Sequence, residues 1–305
     1  METTLGPSVF CASVTPVDSD GRLDEAALRR HLRFLVSKGV GLCLGALNSG
    51  EGMLLRREEV RRLYEIGVEE VAGAVPVLAV SLGYTATEII IDMAREAIDV
   101  GVSGVQLYPP RPGASSVVTL AEVDAFYRTI LEAVEYPIYL GLQAGNMPDG
   151  KISIDLVEGL LADYPHIVGI NCASPEDQLT AVTVAFRSRV AVRSGGSGQL
   201  LALLDAGGAG CLSGEANVAP TLVTSICAAH QRGDEEEARK LFETLRQLSS
   251  ALRAFPVRCE KQAVHALWGH IGPHVRSPYL PLGREDSERL ASTMDQLGIG
   301  QIEGV

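Results

Sequence analysis

The amino-acid sequence predicts a (β/α)₈ barrel with a C-terminal helical extension. Eight short runs rich in Val, Leu and Ile recur along the chain, and each is followed by a Gly- or Pro-containing loop and a segment with helical spacing. Continuous apolarity without alternation is typical of parallel strands buried on both faces. Eight strand–helix units favour a closed barrel. A doubly wound sheet is the alternative, and the lack of a glycine-rich dinucleotide loop near the start argues against it.

The elements follow in order along the chain. The predicted strands are Ser8–Val14, Gly41–Leu47, Pro76–Leu82, Gly104–Tyr108, Pro137–Leu142, Ile167–Asn171, Val190–Ser194 and Gly210–Ser213. Apolar residues recur at helical spacing most clearly in segments 24–38, 56–72 and 87–100. After the last strand the helical segments are Pro220–Arg232, Asp234–Phe255, Pro256–His270 and Arg284–Leu297. We therefore expect residues 1–222 to hold the barrel strands and most helices, and residues 223–305 to hold the last barrel helix and a helical cap.

Composition excludes several classes of protein. The 305 residues are 46% hydrophobic with a net charge of −12, the wrong sign for binding nucleic acid or an anionic lipid surface. No apolar run reaches the ~18 residues that span a bilayer, and the first ten residues carry no basic, apolar leader. We expect a cytoplasmic protein that binds neither nucleic acid nor membrane.

Cysteine and histidine give no sign of a metal site. Six cysteines are spread along the chain without a Cys-x-x-Cys pair, which indicates reduced, mostly buried thiols. Three of the histidines, His265, His270 and His274, flank a Gly-Pro pair that breaks a helix, so a shared metal is not expected there. No cofactor-binding loop is present either.

Polar residues at the predicted strand ends are the candidates for function, because barrel active sites form at the C-terminal ends of the strands. Asn48 and Ser49 begin a turn that can present N–H groups to a carboxylate; a tight turn with a helix cap is the simpler interpretation. The segment Ser194–Gly198 precedes a helix and can bind phosphate, or it is a turn that geometry requires.

Several motifs together resemble one family. They are Ala12-Ser13-Val14-Thr15-Pro16, Asp20-Gly21 with Asp24, Ser49-Gly50-Glu51, Pro137-Ile138, Val168-Gly169-Ile170, and the run from Gly210 through Ser213 and Ala216-Asn217 to Pro220. In order and spacing the set resembles the dihydrodipicolinate synthase/N-acetylneuraminate lyase family of class I aldolases, over about Gly6 to Leu297. The resemblance implies a barrel, a homodimer or homotetramer, and a small carboxylate or 2-oxo acid as ligand.

The resemblance also implies a chemistry from which this sequence departs. In the family a strand-six lysine forms a Schiff base, a strand-five tyrosine moves protons, and a Thr-Thr pair holds the carboxylate. Here Asn171 stands at the lysine position, Gly141 at the tyrosine position and Asn48-Ser49 at the Thr-Thr pair. Tyr108 lies one place before the family's second tyrosine. An amide cannot form the iminium that an amine forms.

A substitute for the missing amine is hard to find. Only four of the 26 basic residues are lysines. Lys38, Lys240 and Lys261 are predicted on helices, and Lys151 alone follows a strand-end loop near the barrel mouth. A flexible loop lysine lacks the desolvation that lowers a pKa, so orthodox aldolase chemistry through Lys151 is only the third hypothesis. Cys172 has no histidine at a strand end to activate its thiol.

The candidate site is therefore polar and largely neutral. The catalytic candidates are Asn171, Glu215 and Tyr108, and the substrate-binding candidates are Asn48, Ser49, Gln143, Ser194 and Ser213. Glu215 is an acid–base candidate if it is enclosed, and a salt bridge to Arg193 is the alternative. We expect a divergent lyase or hydro-lyase without a Schiff base; a catalytically inactive paralogue that binds or regulates is the other function.

Overall fold

The computed structural model describes residues 6–80, 86–110, 118–255 and 259–305. The strands are β1 (Val9–Ala12), β2 (Gly41–Leu44), β3 (Val77–Val80), β4 (Gly104–Leu107), β5 (Ile138–Gln143), β6 (Ile167–Ala173), β7 (Ala191–Ser194) and β8 (Gly210–Ser213). They form a closed barrel in which each strand pairs in parallel with the next, and β8 pairs with β1. The predicted barrel is confirmed.

A helix follows every strand. The barrel helices are α1 (Glu25–Ser37), α2 (Arg57–Val71), α3 (Thr87–Val100), α4 (Leu120–Ala133), α5 (Ile154–Asp163), α6 (Glu176–Phe186), α7 (Leu200–Asp205) and α8 (Pro220–Gln231). Local chemistry sets their starts: the Asp24 side chain accepts the N–H of Ala27 at 2.9 Å and caps α1, as aspartate does at many helix N-termini. The predicted strand end at Ser81–Leu82, the helix start at Pro256 and residues 1–5 lie outside the described residues.

Within the described residues, four further helices form the C-terminal extension: α9 (Glu235–Arg253), α10 (Cys259–Trp268), α11 (Arg284–Gln296) and α12 (Ile299–Glu303). Helix α9 packs along α8, and α12 also contacts α8. The Glu303 carboxylate accepts the N–H groups of Thr221 and Leu222 at 3.1 and 2.9 Å, which satisfies orphan donors in the first turn of α8. The extension is thereby attached to the barrel beside β8.

Two large apolar clusters fill the space between the strands and the surrounding helices. A smaller cluster fills the barrel interior and includes Phe10, Leu78 and Tyr108. The rings of Phe10 and Tyr139 meet edge to face at 6.0 Å. Because these rings fill the barrel interior, the open space that remains lies at its mouth.

In the part of the chain that the structure describes, no helix is both long and apolar enough to cross a bilayer.

Candidate active site

A cavity of about 170 Å³ lies at the C-terminal ends of the barrel strands. It is lined by Ala12, Ala46, Leu47, Asn48, Ser49, Met53, Tyr108, Gln143, Gly195, Gly196, Leu212 and Gly214. Four predicted site residues, Asn48, Ser49, Tyr108 and Gln143, therefore lie around one cavity. They come from the ends of three different strands, as barrel active sites are generally built.

The turn after β2 is tightly fixed. A methyl group at Gly50 would lie 2.7 Å from the backbone nitrogen of Ala46, so only glycine fits against that backbone. The hydroxyl of Thr15 donates to the Gly50 carbonyl at 2.7 Å. Glu51 has left-handed backbone angles, φ 50° and ψ 30°, which cost a non-glycine residue about 1–3 kcal/mol. The surrounding contacts hold Ser49 in one position at the cavity wall.

Sequence reasoning missed the residue that pairs with this turn. Lys261 of α10 is buried, and its Nζ lies 3.1 Å from Glu51 Oε1; both side chains are at most 2% exposed. Buried charges require such pairing. In the sequence, Lys261 stands out only as one of four lysines and as a charged residue in a mostly apolar helix. Its partner, Glu51, is known only once α10 is packed against the barrel.

The preceding residue of α10, Glu260, also reaches the cavity wall. A methyl group on Gly214 would lie 2.7 Å from Ser49 Oγ and 2.8 Å from Glu260 Oε1. The serine hydroxyl and the glutamate carboxylate thus approach the same point on the wall. Glu260 was not among the candidates, because its position depends on the C-terminal extension.

Tyr108 presents a protonated phenol to the cavity. Burial raises the pKa of its hydroxyl far above the usual value; the nearby Cys43 thiol adds to this, and the Gln106 side chain partly offsets it. A phenol with a raised pKa keeps its proton at neutral pH. Tyr108 is therefore a hydrogen-bond or proton donor rather than a base.

Gln143 lies at the rim with a defined orientation. Its Oε1 accepts a hydrogen bond from Asn146 Nδ2 at 2.5 Å. With the carbonyl oxygen held in this way, the amide N–H groups of Gln143 are the donors that it can offer to a ligand.

Asn171 is buried within the barrel and is not one of the residues that line the cavity. Its Nδ2 donates to Gln106 Oε1 at 2.6 Å. Gln106 in turn faces the phenol of Tyr108. The contacts of Asn171 therefore lead to the cavity through Gln106 and Tyr108.

Ser194 and Ser213 were predicted to bind substrate, and neither lines the cavity. Successive residues of a strand point to opposite faces. Arg193 faces the barrel interior, where its guanidinium lies over the Phe10 ring at 4.9 Å, and Leu212 lines the cavity. The serine that follows each of them therefore faces the helices.

Glu215 likewise lies outside the cavity lining. Its carboxylate accepts hydrogen bonds from Ser197, from Ser213 at 3.2 Å and from Ser249 at 2.6 Å. It thereby joins the loop after β7, the end of β8 and helix α9. The alternative, a salt bridge between Glu215 and Arg193, is not formed: Glu215 contacts the serines, and Arg193 donates to the Pro7 carbonyl at 3.0 Å.

The remaining nucleophile candidates are unsuited to covalent chemistry. Burial raises the pKa of Cys172 to about 11, despite a contact with the Ser174 hydroxyl that lowers it. Lys151 is exposed and lines a surface groove before α5 rather than the mouth cavity. Among the described residues, no three His, Cys, Asp or Glu side chains converge as a metal site requires.

Comparison with known proteins agrees with this architecture. A 4-hydroxy-tetrahydrodipicolinate synthase of Acidiphilium cryptum is 30% identical over 292 residues, covering 94% of this chain and 97% of that protein. An uncharacterised DapA-like lyase of Halobacterium salinarum is 29% identical, with 94% and 92% covered. The chloride-inhibited dihydrodipicolinate synthase of Acinetobacter baumannii, complexed with pyruvate, superimposes with a TM-score of 0.85 at 26% identity, over 97% of this chain and 100% of that chain.

The family model carries the assignment across nearly the whole chain. It matches residues 7–297, which include all eight strands and the helices from α1 to α11. The glycine-containing turn after β2 and the polar cavity at the barrel mouth both lie within the matched range. The chain belongs to the dihydrodipicolinate synthetase family.

Proposed function

We propose that this protein binds a small 2-oxo acid non-covalently at the barrel mouth and acts on it as a lyase or hydro-lyase without a Schiff base. The observation that carries the proposal is the cavity itself, in which Asn48, Ser49, Tyr108 and Gln143 gather at strand ends. The pyruvate complex of the related A. baumannii structure supports a ligand of this class.

The lining favours an anionic ligand. The described residues that line the cavity supply hydroxyl and amide donors and no carboxylate; the Glu260 carboxylate lies behind Gly214, next to Ser49 Oγ. Hydrogen bonds from neutral donors to a carboxylate contribute ~1.5–3 kcal/mol each. The nearby Lys261 charge is balanced by Glu51, so recognition rests on these hydrogen bonds rather than on a free cation.

The chemistry we propose is enolisation assisted by hydrogen bonds. On the family resemblance, Asn171 replaces the lysine that forms the iminium, and an amide nitrogen is no nucleophile. Ser49 would stabilise charge that develops on the substrate oxygen. Tyr108 keeps its hydrogen at neutral pH and would donate a hydrogen bond to the same oxygen, while water at the open cavity takes the proton released from the adjacent carbon. Asn171 would act as a positioning residue through Gln106.

One observation favours a second function, a catalytically silent binding protein. Apart from Tyr108, whose phenol keeps its proton at neutral pH, no described residue lining the cavity has an ionisable side chain. Glu215, the predicted acid, is held by three serines. Such a cavity can bind a carboxylate without removing a proton from carbon.

Two measurements separate these functions. Calorimetric titration with pyruvate and longer 2-oxo acids should detect binding, and Ser49→Ala should weaken it by roughly tenfold or more, the loss of one hydrogen bond to a charged acceptor. Ser292→Ala, at an exposed serine of α11, is the matched control and should bind as the native protein does. If no 2-oxo acid binds, the proposal is wrong.

Proton NMR in D₂O then tests the chemistry. A lyase that enolises its ligand exchanges the protons on the carbon beside the carbonyl faster than buffer does, and Tyr108→Phe should slow that exchange while binding persists. Binding without any exchange would identify the silent binding protein instead.

We also propose that the protein is a homodimer or homotetramer, as the family resemblance implies, and that it is cytoplasmic, as its composition indicates. Light scattering on the purified protein measures the mass directly, and a monomer at micromolar concentration would contradict the assembly.

A further inference from the structure

A second cavity lies outside the barrel mouth, between helix α9 and the loop that follows β7. Its volume is about 280 Å³, and it is lined by Gly198, Arg246, Ser249, Ser250 and Arg253. That volume is close to the lower end of small-molecule sites, ~300 Å³. We propose that this cavity binds the oxyanion of a small molecule, a phosphate, sulfate or carboxylate group, through the two arginines.

Arg253 is the principal binding residue in this proposal. Its Nη2 donates to Ser249 Oγ at 2.8 Å, and no carboxylate of the described residues lies within ion-pair distance of its guanidinium. Nη2 also lies 3.7 Å from the position of a methyl group on Gly198. The guanidinium thus spans the gap between α9 and the loop, with most of its N–H donors left for a ligand.

The carboxylate of Glu215 is linked to Arg253 only through the Ser249 hydroxyl. Ser249 Oγ donates to Glu215 Oε1 at 2.6 Å, so the serine separates the arginine from the carboxylate. Glu215 is further occupied by Ser197 and Ser213. This arrangement fixes the position of Arg253 without neutralising it by direct contact.

Arg246 supplies the second cation. It lies seven residues before Arg253, two turns along α9, so the two side chains share one side of the helix. Arg246 pairs with Glu243 at 3.0 Å, and both side chains are more than half exposed. Exposed pairs of this kind contribute only ~0–1 kcal/mol, so an oxyanion can compete for the guanidinium.

The chemistry of the lining favours an oxyanion over other ligands. Two guanidinium groups, two serine hydroxyls and a glycine line the cavity, and planar guanidinium groups match the geometry of phosphate and carboxylate. The whole protein carries a net charge of −12, so a concave patch lined by two cations and no acidic residue is opposite in sign to the protein as a whole.

This site is distinct from the mouth cavity but shares a loop with it. Gly195 and Gly196 line the mouth, while Gly198 lines the second cavity. Buried Ser197 lies between them and is fixed to Ser213 at 3.0 Å. Oxyanion binding here is independent of the proposed 2-oxo acid function, because the oxyanion contacts a different set of side chains.

Titration of the full-length protein with inorganic phosphate, sulfate and acetate at constant ionic strength tests the site. We expect saturable phosphate binding by calorimetry, weakened at least about tenfold in Arg253→Gln and also weakened in Arg246→Gln. Arg239→Gln is the matched control, because Arg239 is an exposed arginine of the same helix paired with Glu235. It should leave binding unchanged.

Each outcome bears on the proposal. Preference for phosphate and sulfate over acetate would identify a tetrahedral oxyanion, and the reverse a carboxylate. If Arg253→Gln and Arg239→Gln weaken phosphate binding equally, the anion is attracted by basic residues in general and the proposed site is wrong. Phosphate binding that does not saturate would also contradict the site. Folding of each variant is checked by its unfolding temperature. Arg253→Gln should bind 2-oxo acid as the native protein does, which would show that the second cavity and the barrel mouth bind their ligands independently.

Discussion

The ring of Tyr108 lies directly on the α-carbon of Gly141. A methyl group built at Gly141 would be 2.6 Å from Tyr108 Cδ1 and 2.8 Å from Cε1. These distances are well below ordinary carbon–carbon contact, ~3.5–4.0 Å. The phenol that follows strand β4 therefore occupies the space that a side chain on β5 would need, at the position where the family resemblance expects a tyrosine.

This contact predicts that Gly141→Ala is harmful. The added methyl group must displace Tyr108 or the backbone, and overpacking of this kind costs ~1–3 kcal/mol. Urea unfolding measures the free energy, and calorimetry should show weaker binding of 2-oxo acid. Gly145→Ala is the control, since nothing lies within 4 Å of its added methyl group. Equal stability of the two variants would show that the ring is free to move.

The absence of an amine at position 171 predicts that no Schiff base forms. After incubation with pyruvate and borohydride, intact mass spectrometry should show the unmodified protein, because an amide nitrogen is delocalised into its carbonyl. A dihydrodipicolinate synthase that forms the imine serves as positive control. If an adduct appears, peptide mapping decides between Lys151 in its surface groove and Lys261 beside Glu51.

The converse substitution, which restores an amine at position 171, tests the same prediction. Asn171→Lys places the amine in a buried site, where desolvation lowers its pKa and favours imine formation. We expect an adduct but little turnover, because Gly141 carries no phenol. Full aldolase or synthase activity in this single variant would mean that Tyr108 or Tyr139 already serves as the proton carrier and that the strand-five alignment is wrong.

The buried pair of Lys261 and Glu51 predicts a large effect on stability. Lys261→Met removes one charge and leaves the other buried, which costs ~3–5 kcal/mol. The double variant Lys261→Met/Glu51→Gln should recover part of this loss. Lys240→Met is the control, since Lys240 is exposed and lies 4.0 Å from Glu237. Chemical unfolding gives all four free energies, and a loss below about 1 kcal/mol in Lys261→Met would contradict the pairing.

Two histidines behind the cavity wall predict a pH dependence of stability. Burial lowers the pKa of His31 to about 3, partly offset by its contact with Asn217. Burial likewise lowers the pKa of His270 to about 4. Asn217 Oδ1 lies 2.9 Å from His31 Nε2, and the other nitrogen of His31 lies 2.9 Å from His270. An oxygen acceptor requires His31 Nε2 to carry the proton, so Nδ1 accepts from His270.

The sign follows from where the protons bind. Unfolded histidines titrate near pH 6.5, whereas the folded ones stay neutral until pH 4 or below. The unfolded state therefore binds more protons between these values, and stability is full above pH 6.5 and falls as pH drops toward 4. His31→Gln should flatten this slope in urea unfolding. His230→Gln, at a histidine paired with Asp205, should not; equal slopes in all three proteins would rule out the buried pair as the cause.

The sequence by itself determined the fold and four of the residues that line the cavity. Hydrophobic runs and helical spacing are local properties, and eight alternating units leave few ways to bury every apolar face. Asn48, Ser49, Tyr108 and Gln143 were predicted because each stands at a strand end, and strand ends meet at one mouth in a parallel barrel. The family resemblance rests on the same ordered motifs.

Tertiary structure alone decided which polar side chains face the cavity. A strand exposes alternate residues to opposite faces, so Ser194 and Ser213 needed the barrel register before their direction was known. Lys261 and Glu260 reach the turn after β2 because α10 packs across the barrel, a contact between residues far apart in the chain. Such contacts follow from closure of the whole barrel and not from any local pattern. For this reason Lys151 was the only lysine expected near the mouth, whereas the structure places Lys261 beside the site.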